Sequence, residues 1–254
     1  MWFSADNLAL TVAQAACVAL PAAGLPLWAE RLRTGAWALV LPFSIVVVVV
    51  AIALVPTTAD VLTWVALLLV PAGCAIALGW AARGARPWAA VLAAPLLAVA
   101  WAYQDERSGQ VATIVLIVGS AVTLGRLLAG PAPLSLLKLG IVAMAVVDAW
   151  LVFSGQLEGP NAVLVAASPG AGLPQLQSAS FGFAGMGYGD FFAAAVVGGI
   201  LAVEKGPQVA AAVGLVVVSM CWDQLFLVYD VLPATIPPAI VLLAADWYRR
   251  AACK

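Results

Sequence analysis

The chain is a succession of apolar runs cut by short breaks: RLRTG, VPTTAD, ARGARP, YQDERSG, AGPAPLS and EKGP. About 20 apolar residues suffice to cross the hydrocarbon of a bilayer as a helix. Nine runs are predicted to do so, at 8–29, 37–55, 61–81, 87–103, 111–129, 136–155, 187–204, 208–229 and 232–248. No internal repeat, low-complexity tract or soluble domain separates them. The longest connection, 156–186, is mildly apolar but broken by Pro160, Pro169, Gly170, Gly172 and Pro174. It predicts a loop with a short interfacial or re-entrant piece at 161–168, and long loops in compact proteins are often binding elements. The expected fold is an all-α membrane protein, a polytopic bundle of nine transmembrane helices. It forms one domain over 1–254, with a five-helix part at 1–129 and a four-helix part at 136–254.

Composition supports this reading. Of 254 residues, 65% are hydrophobic and 9% charged, too few polar residues to cover a soluble surface. The net charge of −1 gives no reason to expect a nucleic-acid partner; the expected surroundings are a lipid bilayer. The sequence contains no histidine. That excludes Ser-His-Asp and Cys-His catalysis, and zinc or haem sites built on histidine. No cofactor or metal is expected. Cys17, Cys74, Cys221 and Cys253 form no Cys-x-x-Cys pair, and the first three are expected to be small buried hydrophobes. No basic residues precede the first apolar run, so a cleaved signal peptide is not expected.

Charge in the short loops sets the expected orientation. With nine spans, Arg31, Arg33, Arg83, Arg86, Arg126, Lys138, Lys205, Arg249, Arg250 and Lys254 fall on one side and only Arg107 on the other. The N-terminus is then outside and the C-terminus cytoplasmic. The alanine-rich runs and short loops point to a prokaryotic plasma membrane.

Two acids stand inside apolar runs: Asp148 in GIVAMAVVDAWLVF and Asp190 in GYGDFFAAAVVGGIL. A carboxylate at the bilayer centre costs about 2.5–3.5 kcal/mol even on insertion scales, so each is a functional-site candidate. Run six leads outward and Asp148 lies about 18 Å along it at 1.5 Å per residue. Run seven starts on the outer side with Asp190, so the two acids reach similar depth. The last run opens with LPATIPPAIVLL, where Pro233, Pro237 and Pro238 predict irregular backbone at that level. Irregular backbone there is tolerated only inside protein or beside a wet cavity. Two carboxylates held close share a proton, so one can activate water while the other hydrogen-bonds a peptide carbonyl. Gly187 and Gly189 flank Tyr188 before Asp190 and permit close approach of another chain. An extended stretch beside 187–190 and exposed backbone near 237–240 could pair strand-fashion with an unwound substrate. Tyr188 reads either as a side chain closing over substrate or as an interfacial aromatic. Asp223 is a third acid in an apolar run, with no motif around it; Asp230 and Asp246 are expected to be solvated at run ends. Trp2, Trp28, Trp88 and Trp247 read as interfacial anchors.

These motifs resemble the presenilin and signal peptide peptidase family. Val147-Asp148 followed by AWLVF is similar to its Tyr-Asp element, with valine in place of tyrosine. Gly187-Tyr188-Gly189-Asp190 matches its Gly-x-Gly-Asp element. Pro238-Ala239-Ile240 resembles its Pro-Ala-Leu element, with isoleucine for leucine; Pro233-Ala234-Thr235 is a poorer match. The resemblance covers runs six to nine. It implies a presenilin-like intramembrane aspartyl protease that cleaves transmembrane helical substrates, with Asp148 and Asp190 catalytic. Gly187, Tyr188, Gly189, Pro238, Ala239 and Ile240 would then contact substrate. The orientation read from charge is that of the signal peptide peptidase branch.

A proton- or cation-coupled transporter or channel is the alternative from another class. It predicts inverted repeats and a polar path, and runs one to five contain few polar residues. A prepilin-peptidase type of enzyme would place its acids on the cytoplasmic side. A catalytically dead helix-binding scaffold is the remaining alternative.

Overall fold

The computed structural model describes residues 5–23, 40–55, 57–170, 172–229 and 231–252. Among them the chain is mostly helical. Four helices are long and apolar enough to cross a membrane: Thr58–Ala81, Arg107–Ala129, Leu134–Phe153 and Gln208–Leu227. Ala5–Ala19, Pro87–Ala102 and Tyr188–Val203 are shorter apolar helices.

In chain order the elements are α1 (Ala5–Ala19), α2 (Val40–Leu54), α3 (Thr58–Ile76), α4 (Ala93–Ala102), α5 (Arg107–Ala129), α6 (Leu134–Phe153) and α7 (Glu158–Ala166). A hairpin follows, β1 (Ser178–Phe181) and β2 (Ala184–Gly187), and then α8 (Tyr188–Val203), α9 (Gln208–Trp222) and α10 (Ile236–Ala252). A π turn, Ala77–Ala81, extends α3, and the 3-10 turns Pro87–Leu92 and Asp223–Leu227 precede α4 and extend α9. A helix thus occupies part of each of the nine apolar runs. Trp2, Trp28, Arg31, Arg33, Asp230, Cys253 and Lys254 lie outside the described residues.

Helix α8 sits at the centre. It is apolar all round, and every residue from Ala193 to Ala202 is buried. A helix without a polar face has to be surrounded by other elements. It packs mainly on α5 and α1, and also on α6, α9 and α10. Small residues bring these backbones together. A Cβ at Gly199 would fall 2.6 Å from the carbonyl oxygen of Gly125 on α5, and one at Gly198 would fall 2.6 Å from the Cys17 and Val18 carbonyls of α1. One hydrophobic core runs from Leu10 to Leu242 through both halves of the chain. Cys17 and Cys74 are buried in it as expected, whereas Cys221 is exposed.

Two clamps of polar contacts tie helix ends together. Gln208, at the start of α9, is buried and donates to the carbonyls of Val18, Pro21 and Gly198 at 3.0–3.1 Å. Arg83 donates to its side-chain oxygen. The second clamp joins the start of α6 to the ends of α8 and α10. Lys138 Nζ lies 2.9 Å from Glu204 and also pairs with Asp246; Arg249 pairs with Glu204 at 2.8 Å and Arg250 with Asp246 at 2.7 Å. Asp246 is therefore an ion-paired, half-buried residue and not the solvated acid expected from its place at a run end. Arg126, counted among the loop cations, is also built into the fold. It is buried in the last turn of α5, stacks 3.6 Å from the Trp80 ring centre, and donates to the Trp80 carbonyl at 2.5 Å.

The 156–186 connection is more ordered than a loop. Its predicted short piece forms as α7, shifted a few residues toward the N-terminus. Residues 178–187 pair as an antiparallel hairpin, with Ser178 opposite Gly187 and Phe181 opposite Ala184. Gly182 turns the hairpin at φ +58, a left-handed backbone that glycine adopts without cost. Asp6 and Gln110 hold the turn through the Phe183 and Gly182 N–H groups. Alternation was not visible here, since Ser, Ala, Gly and Met carry little hydrophobic contrast.

Candidate functional site

Helix α6 carries Asp148 to the end of the molecule opposite the Lys138 clamp. Asp148 is about 15 Å along the helix from Lys138, and Asp190 about 21 Å along α8 from Glu204. The helices run antiparallel and share the clamp, so both acids come to the same end.

Asp148 is 8% exposed. Its carboxylate accepts from the Thr235 hydroxyl at 2.6 Å and from the Thr235 backbone N–H. Thr235 itself is buried at 3% exposure. It ends a non-helical strap, residues 231–235, that leads into α10. Asp190 lies in the first turn of α8, where unpaired backbone N–H groups favour a carboxylate. The Gly187 backbone hydrogen-bonds its side chain, and Asp190 lies within electrostatic range of Asp148. Gln14 on α1 reaches both elements. Its side-chain amide, 1% exposed, donates to the carbonyls of Asp190 and Ala234, each at 3.3 Å.

The structure therefore brings together Asp148, Asp190 and the glycines 187 and 189, and adds Thr235 and Gln14. Gly187 has ordinary extended angles, φ −70 and ψ 154. A Cβ there would sit 3.5 Å from Asp190 Oδ2, an ordinary contact, so neither backbone angle nor space requires glycine at this position. Gly189 is exposed with nothing within 4 Å of where its side chain would begin. The backbone beside Asp190 is thus open on that side.

Two expectations change. Residues 237–240 do not form irregular or extended backbone; α10 begins at Ile236 and includes them. Pro237 and Pro238 occupy its first turn, where the missing N–H would have had no partner and the fixed φ suits a helix. Pro238 and Ala239 are buried and Ile240 is 42% exposed. The irregular segment is the preceding strap, so Pro233-Ala234-Thr235, the poorer sequence match, is the one in contact with Asp148. Tyr188 is tied to its neighbours and does not lie as a free interfacial ring. Its hydroxyl shares a 2.8 Å hydrogen bond with Ser120 of α5, and its N–H donates to Gln177 at 3.1 Å.

Asp223 opens the 3-10 turn at the end of α9 and is half-buried. Near it, Trp222 Nε1 and Ser219 Oγ are buried with no hydrogen-bond partner among the described residues. Gln14 is the one amide in the apolar run 8–29; an amide is less costly in an apolar helix than an acid, so it stands out less in the sequence. Among the described residues no three His, Cys, Asp or Glu side chains assemble into a group that could hold a metal ion. The arrangement is two carboxylates, one anchored by a hydroxyl, beside open backbone. Such a pair can share a proton and move it to or from a water or carbonyl.

No family model, curated protein or solved structure matches the chain.

Proposed function

We propose that the protein is an intramembrane aspartyl protease that hydrolyses peptide bonds within transmembrane helices of membrane-protein or signal-peptide substrates. The observation that carries this reading is the convergence of Asp148, Asp190 and the 231–235 strap at one end of the bundle, with Thr235 bonded to Asp148. Asp148 and Asp190 form the dyad. The ionised member takes a proton from water, which attacks the scissile carbonyl; the protonated member donates to the carbonyl oxygen. The proton returns to the leaving nitrogen as the tetrahedral intermediate collapses. Open backbone at Gly189, exposed beside Asp190, supports entry of an unwound substrate there. In this reading all nine apolar runs span the bilayer, the N-terminus is outside and the C-terminus cytoplasmic. The Gly-Tyr-Gly-Asp and Val-Asp elements support kinship with presenilins and signal peptide peptidases.

The test is cleavage of a labelled single-span helical substrate by the purified protein in bilayers. Asp148→Ala and Asp190→Ala are expected to abolish cleavage and Asp223→Ala to retain it. Absence of cleavage by wild type across several substrates and pH values, together with ion flux in vesicles, would replace the protease reading with a transporter.

A further inference from the structure

We propose that Gln14 is a positioning residue that ties the first turn of α8 to the 231–235 strap and so sets the spacing of Asp148 and Asp190, an inference that rests on the protease reading above. Gln14 belongs to α1, far in sequence from both acids and outside every motif that the family resemblance uses. A primary amide brings two N–H donors, and burying it in an apolar helix is unfavourable unless they are hydrogen-bonded. Here they reach two carbonyls on different elements, Asp190 in α8 and Ala234 in the strap. Ala234 immediately precedes Thr235, whose hydroxyl and backbone N–H hold the Asp148 carboxylate. The connection therefore runs from the Asp190 backbone through Gln14 to Ala234, Thr235 and the Asp148 side chain, and links both acids without touching the reacting atoms.

Each bond to Gln14 is long at 3.3 Å, so either one alone is weak and the clamp needs both. The strap forms neither helix nor strand; its last residue, Thr235, is tied to Asp148 and its carbonyl accepts from the Ala239 N–H at 3.4 Å. Without Gln14 the strap would lose its link to the first turn of α8 at the Ala234 carbonyl, and a misplacement of about 1 Å in an active site can cost about 100-fold in rate.

The experiment uses the full-length protein in lipid nanodiscs, with two variants. Gln14→Met keeps the length and apolar volume and removes both donors; Gln14→Glu, protonated in this setting, retains one. Cleavage of a labelled single-span peptide gives kcat and KM, and hydrogen exchange by mass spectrometry reads residues 187–191 and 231–236 independently of cleavage. The inference expects Gln14→Met to lower kcat about 10- to 100-fold with KM unchanged, Gln14→Glu to fall between it and wild type, and exchange at 231–236 to rise in the same order. Unchanged kcat, unchanged exchange in the strap, or a fall in rate that merely follows loss of folded protein would overturn it. Faster strap exchange in Gln14→Met with a wild type that cleaves nothing would retain the clamp and overturn its catalytic role together with the protease reading.

Discussion

The Thr235 hydroxyl donates to Asp148 Oδ2 at 2.6 Å inside the protein, joining α6 to the strap before α10 across 87 positions of sequence. Removing it while leaving the carboxylate buried costs part of the desolvation of that group. Thr235→Val is expected to lower stability by about 1–3 kcal/mol, toward the low end because the backbone N–H remains. Thr235→Ser should stay close to wild type. Unfolding titrations of both variants in one detergent check the size, and cleavage by the same samples should fall for valine and persist for serine.

Gly189 is exposed and faces empty space beside Asp190. A Cβ there would meet no other residue within 4 Å, so Gly189→Leu should change stability by no more than about 0.5 kcal/mol. It should nonetheless obstruct an entering substrate and cut cleavage severely. Thermal unfolding and cleavage measured side by side separate the effects. Full activity of the leucine variant would mean that substrate approaches the dyad from another side.

Gly199 on α8 lies against Gly125 on α5, and a Cβ on Gly199 would press on backbone that has no room to yield. Gly199→Ala is expected to destabilise by about 1–3 kcal/mol through overpacking. Gly214, with nothing within 4 Å, is the control: Gly214→Ala in the helix α9 should be neutral or slightly stabilising, by up to about 1 kcal/mol. Melting temperatures of the two variants should move apart.

Lys138 joins Glu204 and Asp246, whose side chains are 13% and 14% exposed. Exposed pairs contribute about 0.2–1 kcal/mol, and this shielded network should lie at or above the top of that range. Lys138→Met would leave two acids shared between Arg249 and Arg250. Its unfolding midpoint should drop at low salt, and the difference from wild type should shrink, without vanishing, at high salt.

Much of the architecture was legible in hydropathy. Lipid or protein must surround every face of an apolar helix, so runs such as 111–129 and 136–155 declared helices α5 and α6 by length and composition alone. Asp148 and Asp190 were legible for the same reason: an acid in an apolar run is costly enough to stand out. The 178–187 hairpin was not legible, because its small residues carry no alternating pattern. The helical start at 236–240 is not legible from its prolines, because proline suppresses a helix interior but suits a first turn. One more signal decides between those outcomes, the position of the preceding break, and only the fold fixes it.

The chain by itself determined a helical, membrane-suited protein with two acids in neighbouring apolar helices and glycines beside the second. Those are local properties, set by the solvation of each residue and its near neighbours. Tertiary structure alone decided that the two acids come to the same end of the bundle and that Thr235, not the 238–240 segment, holds Asp148. It also decided that Tyr188 bonds Ser120 and that Gln14 reaches both acid-bearing elements. Each of these contacts joins residues from different helices. Which helix faces which follows from shape, from the close approach of α5 and α8 at Gly125 and Gly199, and not from the hydropathy of either one.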